Sequence, residues 1–182
     1  MIRTLVFFAY FWASLTLTLP LGIVLSIISL VFPVRAIREF LGLLVRAWAR
    51  SILWASGSTV DVAGLEHVPR RGALVVVGNH QGDMDILVLL AYLPRSVGFM
   101  AKSQARWVPF INLWVMAIGS VFVNRSSIAQ GMKSIDQGVQ SVRTGKALAI
   151  FPEGTRSRSS IMLPFRNGSF KLATKAGALV LP

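Results

Sequence analysis

The chain has 182 residues, 54% of them hydrophobic and only 14% charged, a balance that excludes a disordered chain and departs from an ordinary soluble surface. With 19 Lys and Arg against 7 Asp and Glu, the formal net charge is +12. There is no cysteine, which removes disulfide scaffolds, thiolate zinc sites and cysteine nucleophiles, and His67 and His80 are too few for a multi-histidine metal site. So apolar and basic a composition points to a membrane surface rather than to nucleic acid, whose binding modules carry their charge on polar domains.

The first element is a run without formal charge from Thr4 to Val34, bounded by Arg3 and Arg35. It is longer than the apolar core of a secretory signal. As a helix it would reach about 46 Å, against a bilayer hydrocarbon core of roughly 30 Å. Pro20 divides it, so a kinked, tilted helix and a hairpin within one leaflet both remain open. From Arg35 to Gly57 the pattern changes. Arg35, Arg38, Arg46 and Arg50 share about a third of a helical circumference, with Ile37, Phe40, Leu41, Leu44, Trp48 and Ile52 opposite. With Trp48 and Trp54 this predicts an interfacial amphipathic helix attracted to anionic lipid; the other reading is a charged face on a helix packed against the domain. More arginines follow the apolar run than precede it, which puts the remainder of the chain on the cytoplasmic side of a cytoplasmic (inner) membrane.

From Ser58 onward the texture is that of an α/β domain, so the chain divides into an anchor over residues 1–57 and a domain over 58–182. Val60 to Val62 and Leu74 to Val77 read as strands, the second a continuous apolar run suited to burial on both faces. Met84 to Leu93 reads as a short helix stopped by Pro94, with strand candidates at Val97 to Met100 and Gly119 to Val123. Ser127 to Arg143 carries apolar residues at helical spacing and is followed by Gly145 as a cap. Ala147 to Phe151 is a buried strand, Phe170 to Ala176 a helix ending at Gly177, and Ala178 to Leu181 begins a further strand.

Two loops after buried strands carry the chemistry. In Gly78-Asn79-His80-Gln81-Gly82-Asp83-Met84-Asp85, a His leaves a strand and an Asp stands five residues on, in the first turn of a helix. Such an Asp accepts a hydrogen bond from one imidazole nitrogen and leaves the other as a general base. The same spacing also suits a structural His bonded to a helix-capping carboxylate. In Phe151-Pro152-Glu153-Gly154-Thr155-Arg156-Ser157, Gly154 permits a tight turn, Arg156 offers a planar fork for phosphate, Thr155 and Ser157 add hydroxyls, and Glu153 is placed to orient a basic group or a hydroxyl. A polar turn with a solvated Arg is the other reading. The chain has no G-x-x-x-x-G-K-[ST] phosphate loop and no G-x-S-x-G serine elbow.

Taken together these loops resemble the glycerophospholipid acyltransferase family, most closely its 1-acyl-glycerol-3-phosphate acyltransferases. Asn79-His80 with Asp85 is similar to the N-H-x-x-x-x-D motif, Gly119 to Arg125 to a strand ending in Arg, Phe151 to Ser157 to the third block, and Leu163 to Gly168 to L-P-F-[KR]-x-G. The likeness covers roughly residues 60 to 182. Two departures stand out: Gly82 takes a position often held by Ser, and after Leu179-Val180-Leu181-Pro182 the usual C-terminal part is absent, so the chain looks like a shortened form.

The resemblance implies a mostly parallel mixed sheet flanked by helices behind a two-helix N-terminal membrane anchor. It implies acyl transfer from acyl-CoA or acyl-carrier protein to the sn-2 hydroxyl of lysophosphatidic acid by direct attack, with no cofactor, no metal and no nucleic-acid partner. His80 would be the general base and Asp85 its support. Arg125, Glu153, Gly154, Thr155, Arg156 and Lys102 would form the phosphate site, Lys102 being equally readable as a surface lysine. A sister enzyme acting on another lyso-lipid, a lipid hydrolase and a non-catalytic anionic-lipid-binding module are the rival readings, the hydrolase disfavoured by the missing serine elbow.

Overall fold

The computed structural model describes residues 2–31 and 35–182. Five short strands, β1 (Leu74–Val77), β2 (Val97–Lys102), β3 (Val121–Val123), β4 (Ala147–Ile150) and β5 (Leu179–Leu181), form one sheet in the order β3-β2-β4-β1-β5. Every pairing is parallel, so the described sheet is wholly parallel rather than mixed. The central strands β1 and β4 are apolar runs because both their faces are covered. Leu74, Val76, Ala147 and Ala149 join one core cluster, which includes Ile86, Leu89 and Leu90 of α3 (Met84–Tyr92). Val75, Leu148 and Ile150 join the other, with Ile135, Val139 and Val142 of α5 (Ile128–Arg143) and Leu172 of α6 (Lys171–Ala176). That split is the period-two alternation of a strand read off in three dimensions.

The apolar run forms one continuous helix, α1 (Ile2–Val31), that passes through Pro20; a hairpin inside the run does not form. Instead α1 packs antiparallel on α2 (Arg35–Ser56): Arg3 Nη2 donates to the Ser56 carbonyl, and Trp48 Nε1 donates to Ser14 Oγ at 3.0 Å beside the Phe11 ring. Residues 32–34, which include Val34 at the end of the run, lie outside the described residues.

The arginine stripe of α2 has a different destination from the lipid surface expected of it. Arg46 Nη2 donates to the Leu93 carbonyl at 2.7 Å, and Arg50 Nε to the Ala91 carbonyl at 3.1 Å, with the Arg50 guanidinium over the Tyr92 ring. Two cations thus cap the C-terminal end of α3, where orphan carbonyls and the negative end of the helix dipole favour them. The side chains of Arg35 and Arg38 lie outside the described residues. Ala49, Ile52 and Leu53 bury against Leu87 and Ala91 of α3, so α2 forms an outer layer of the domain. Trp54, by contrast, is 82% exposed.

Val60 to Val62 is not a strand. Val60 instead joins the cluster between α2 and α3. Between β2 and β3 the chain makes a 3₁₀ turn (Ser103–Trp107) and the short helix α4 (Ile111–Ala117), neither of which the residue pattern announces.

Candidate active site

Parallel strands present all their C-terminal ends at one edge of the sheet, and ligand crevices in such folds lie outside that edge. The His80 loop follows β1, Lys102 ends β2, Arg125 follows β3 and the Glu153 loop follows β4, so residues distant in sequence meet there. The first and third loops are stitched together by backbone bonds, Ser157 N–H to the His80 carbonyl at 2.7 Å and Arg158 N–H to the Gln81 carbonyl at 3.2 Å.

His80 and Asp85 meet as their spacing predicts: Nδ1 lies 2.7 Å from Asp85 Oδ2. The same oxygen accepts from the backbone N–H of Gln81 at 2.7 Å and of Gly82 at 3.0 Å. Three contacts on one carboxylate oxygen, at the start of α3, fix the direction in which Asp85 is aimed. With Nδ1–H given to Asp85, the neutral imidazole keeps its lone pair on Nε2. The ring stacks on Phe151 with centroids 4.1 Å apart and an interplanar angle of 12°, which fixes its plane. The two backbone donors on Asp85 also suit the capping carboxylate of the alternative reading, and what sets His80 apart from a structural His is its place in the lining of a cavity.

That cavity encloses about 1020 Å³. Its lining includes the polar side chains of Lys102, Arg125, Thr155, Arg156, Arg166 and Lys171 together with apolar ones such as Phe7, Phe8, Phe11 and Leu15 of α1, Met100 and Val115. A site of this kind suits an amphiphile with an anionic head. Arg125 follows β3 by way of Asn124, whose N–H donates to the buried Ser134 Oγ of α5 at 3.1 Å. Arg125 Nη1 donates to the Gly154 carbonyl at 2.7 Å. Burial lowers the Arg125 pKa from its ordinary value, and the neighbouring Arg166 lowers it further. Gly154 has φ 72, and a Cβ there would come within 2.9 Å of Arg125 Nη1 and 2.8 Å of Arg166 Nε, so the left-handed turn and the closeness of two guanidiniums both demand glycine.

Glu153 is the exception among the expected phosphate residues. Its side chain is buried and absent from the cavity lining; Oε1 accepts from His80 N–H at 2.7 Å and Oε2 from Leu163 N–H at 3.1 Å. A carboxylate would repel a phosphate, and this one instead ties the His80 loop to the stretch carrying Arg166. Two cavity cations, Arg166 and Lys171, were not among the expected ones, although Arg166 lies in the L-P-F-R-N-G stretch that the sequence singles out. Asp83 was also unforeseen: it takes Arg156 Nη1 at 2.6 Å and 2.5 Å on its two oxygens and is the single carboxylate of the lining among the described residues.

The strand ends of a parallel α/β layer thus carry a His–Asp pair beside a cavity lined by both cations and apolar side chains. The comparisons supply the class. Residues 59–182 match the family described as Acyltransferase, and the chain belongs to that family. It is 33% identical over 140 residues to a 1-acyl-sn-glycerol-3-phosphate acyltransferase of Borreliella burgdorferi, covering 77% of this chain and 56% of that protein. With the human 1-acyl-sn-glycerol-3-phosphate acyltransferase alpha it shares 31% identity over 166 residues, 88% of this chain and 58% of that one. The chain thus spans about half the length of the curated relatives it matches. The crystal structure of the 1-acyl-sn-glycerophosphate (LPA) acyltransferase PlsC from Thermotoga maritima superposes on the whole chain and 73% of its own length, with a TM-score of 0.81 at 28% identity.

Proposed function

We propose that this chain carries the catalytic unit of a membrane-bound 1-acylglycerol-3-phosphate acyltransferase, moving a fatty acyl group from a thioester to the sn-2 hydroxyl of lysophosphatidic acid. The observation that carries the reading is the His80–Asp85 pair, 2.7 Å apart, on a cavity whose lining combines five cations with many apolar side chains. The cations Arg125, Arg156, Arg166, Lys102 and Lys171 would hold the acceptor phosphate, with Thr155 adding a hydroxyl. The apolar walls would take the acyl chains.

His80 Nε2 removes the proton from the acceptor hydroxyl as its oxygen attacks the thioester carbonyl. Asp85 stabilises the imidazolium that results. The tetrahedral intermediate collapses with cleavage of the C–S bond, and the proton passes from His80 to the departing sulfur, giving an ester and a free thiol. No acyl-enzyme forms on this route. Acyl-CoA and acyl-carrier protein both supply the necessary thioester.

Membrane attachment belongs to the same proposal. The stretch Ile2–Leu25 is long and apolar enough to cross a membrane, and most of it is not covered by protein. Eight large apolar positions of α1, Ile2, Leu5, Val6, Phe8, Leu17, Val24, Ile27 and Val31, expose more than half their surface. The arginines that follow the run favour the cytoplasmic leaflet for the catalytic domain.

The test is thiol release in vitro from acyl-CoA and from acyl-carrier protein with lysophosphatidic acid, in wild type and His80→Ala. Loss of a general base predicts a fall of about 10²–10⁴ in rate with membrane association retained. A rate near wild type in His80→Ala would sink the mechanism. Faster transfer to another lyso-lipid in direct competition would move the chain to a sister activity.

A further inference from the structure

A second cavity, of about 640 Å³, opens at the opposite edge of the sheet. Its lining comes from residues that precede the strands: Arg70 and Arg71 before β1, Arg95 and Ser96 before β2, Lys146 before β4. Since the strands are parallel, this edge is separated from His80 by the length of β1, about 13 Å at roughly 3.3 Å per residue. The other walls are apolar and helical, from Leu41 and Val45 of α2, Leu90 of α3, and Trp114 and Ala117 of α4.

The charge balance is lopsided. Five cations (Arg46, Arg70, Arg71, Arg95 and Lys146) and one carboxylate, Glu39, line the space. Arg46 and Arg95 bond to backbone carbonyls, Arg95 to those of Pro69, Gly72 and Gly145. Carbonyls satisfy the donors but do not neutralise the charge. Burial accordingly lowers the Arg95 pKa from its ordinary value. Arg70, Arg71 and Lys146 are exposed and have no hydrogen-bond partner among the described residues, so their donors are available to a ligand. A concave, one-sign surface with low-dielectric walls concentrates anions.

The distribution also selects the kind of anion. Four of the five cations precede strands at the sheet edge, and the helices contribute mainly apolar groups, Arg46 and Glu39 of α2 excepted, a division suited to a head and a tail. Trp114, a wall of this cavity, also packs against α1 at Gly22, where an added Cβ would lie 2.8 Å from its ring. The cavity therefore adjoins the helix whose uncovered face is apolar, with Val24 and Ile27 each more than half exposed. A lipid in the same layer as α1 has a lateral approach to it.

We propose that this second cavity seats the phosphate head and upper acyl segments of an anionic membrane lipid, at a site separate from the His80 cavity. The proposal does not depend on acyl transfer. Trp114 reports on it selectively, because Trp114 lines this cavity and not the first, whereas Trp48 lines the first and not this one.

The experiment measures tryptophan quenching of the full chain by phosphatidic acid carrying brominated acyl chains in phosphatidylcholine vesicles. The Trp114 contribution is the difference between wild type and Trp114→Phe. It is expected to appear with the brominated anionic lipid and not with brominated phosphatidylcholine. Arg70→Gln with Arg71→Gln should weaken it by about fivefold per charge removed. Lys133→Gln, an exposed charge on α5 outside the cavity, should leave it unchanged. No Trp114-dependent quenching, equal quenching by the zwitterionic lipid, or insensitivity to the double variant would each overturn the proposal. So would inorganic phosphate that slows phenylglyoxal modification of Arg70 and Arg71 while lipid gives no Trp114 signal, since the site would then belong to a free phosphate.

Discussion

Asp83 and a substrate phosphate present the same chemistry to Arg156: anionic oxygens at hydrogen-bonding distance from a planar guanidinium. Asp83 is 78% exposed on its side chain and Arg156 37%, so the pair is wet and weak and can exchange for a doubly charged headgroup. Asp83→Asn is then expected to lower the apparent KM for lysophosphatidic acid severalfold with kcat little changed; an unchanged or raised KM would show that the two anions do not compete. Arg156→Ala should do the reverse, raising KM roughly tenfold through loss of a charge-assisted hydrogen bond. The sequence offers Arg156 as a candidate phosphate ligand, but it has no means of pairing it with Asp83, because that contact depends on how two loops 73 positions apart lie together. Glu153 repeats the lesson. In the sequence it is an acid inside a phosphate-like loop, and only the fold reveals that both its oxygens bond to backbone N–H groups. Glu153→Gln leaves one of those donors without an acceptor, a cost of about 1–3 kcal/mol for a buried group. Chemical denaturation should record that loss, together with a fall in kcat as His80 is released from its position.

At the scale of elements, β1, β4 and α5 were legible because each has a single physical cause. The first two are unbroken apolar runs, and α5 shows a helical period with Ser127 capping its start by accepting from Gln130 N–H. The elements that escaped lack such a cause. Val60 and Val62 have the composition of a strand, but Val60 packs into the cluster between α2 and α3 instead of joining the sheet. In α4, Pro109 and a left-handed Phe110 at φ 64 precede a helix of 7 residues, too short for a period to stand out. Of the two sequence readings of the α2 arginine stripe, lipid surface or packed helix, Arg46 and Arg50 follow the second, since periodicity reports which residues share a face but not what lies opposite. Burial also ranks the elements for stability. Leu148 is fully buried in β4, the middle strand of the sheet, between α5, α6 and the neighbouring strands. Leu148→Ala should destabilise the protein by about 2–5 kcal/mol, and a urea midpoint unchanged from wild type would place the core elsewhere.

For the whole molecule, the division into an anchor and a catalytic domain separates two things that the fold joins. The first half of α1 supplies Phe7, Phe8, Phe11 and Leu15 to the wall of the His80 cavity, and its second half rests on Trp114 beside the second cavity. The helix expected to hold the protein at a membrane is therefore also a wall of the His80 cavity, the proposed container for the acyl chain, and the two roles can be told apart. Phe8 is half exposed and lines the cavity, while the rest of α1 keeps ample apolar surface without it. Phe8→Ala should leave vesicle association as it is, because one side chain is a small part of the exposed apolar face. It should lower kcat/KM for long-chain donors by about tenfold, equivalent to losing about 1.4 kcal/mol of apolar contact, and affect short-chain donors less. Vesicle flotation and donor-length series measured on one preparation separate the two roles: if association and long-chain transfer fall together, α1 acts as a tether alone, and if only transfer falls, the anchor is a wall of the active site.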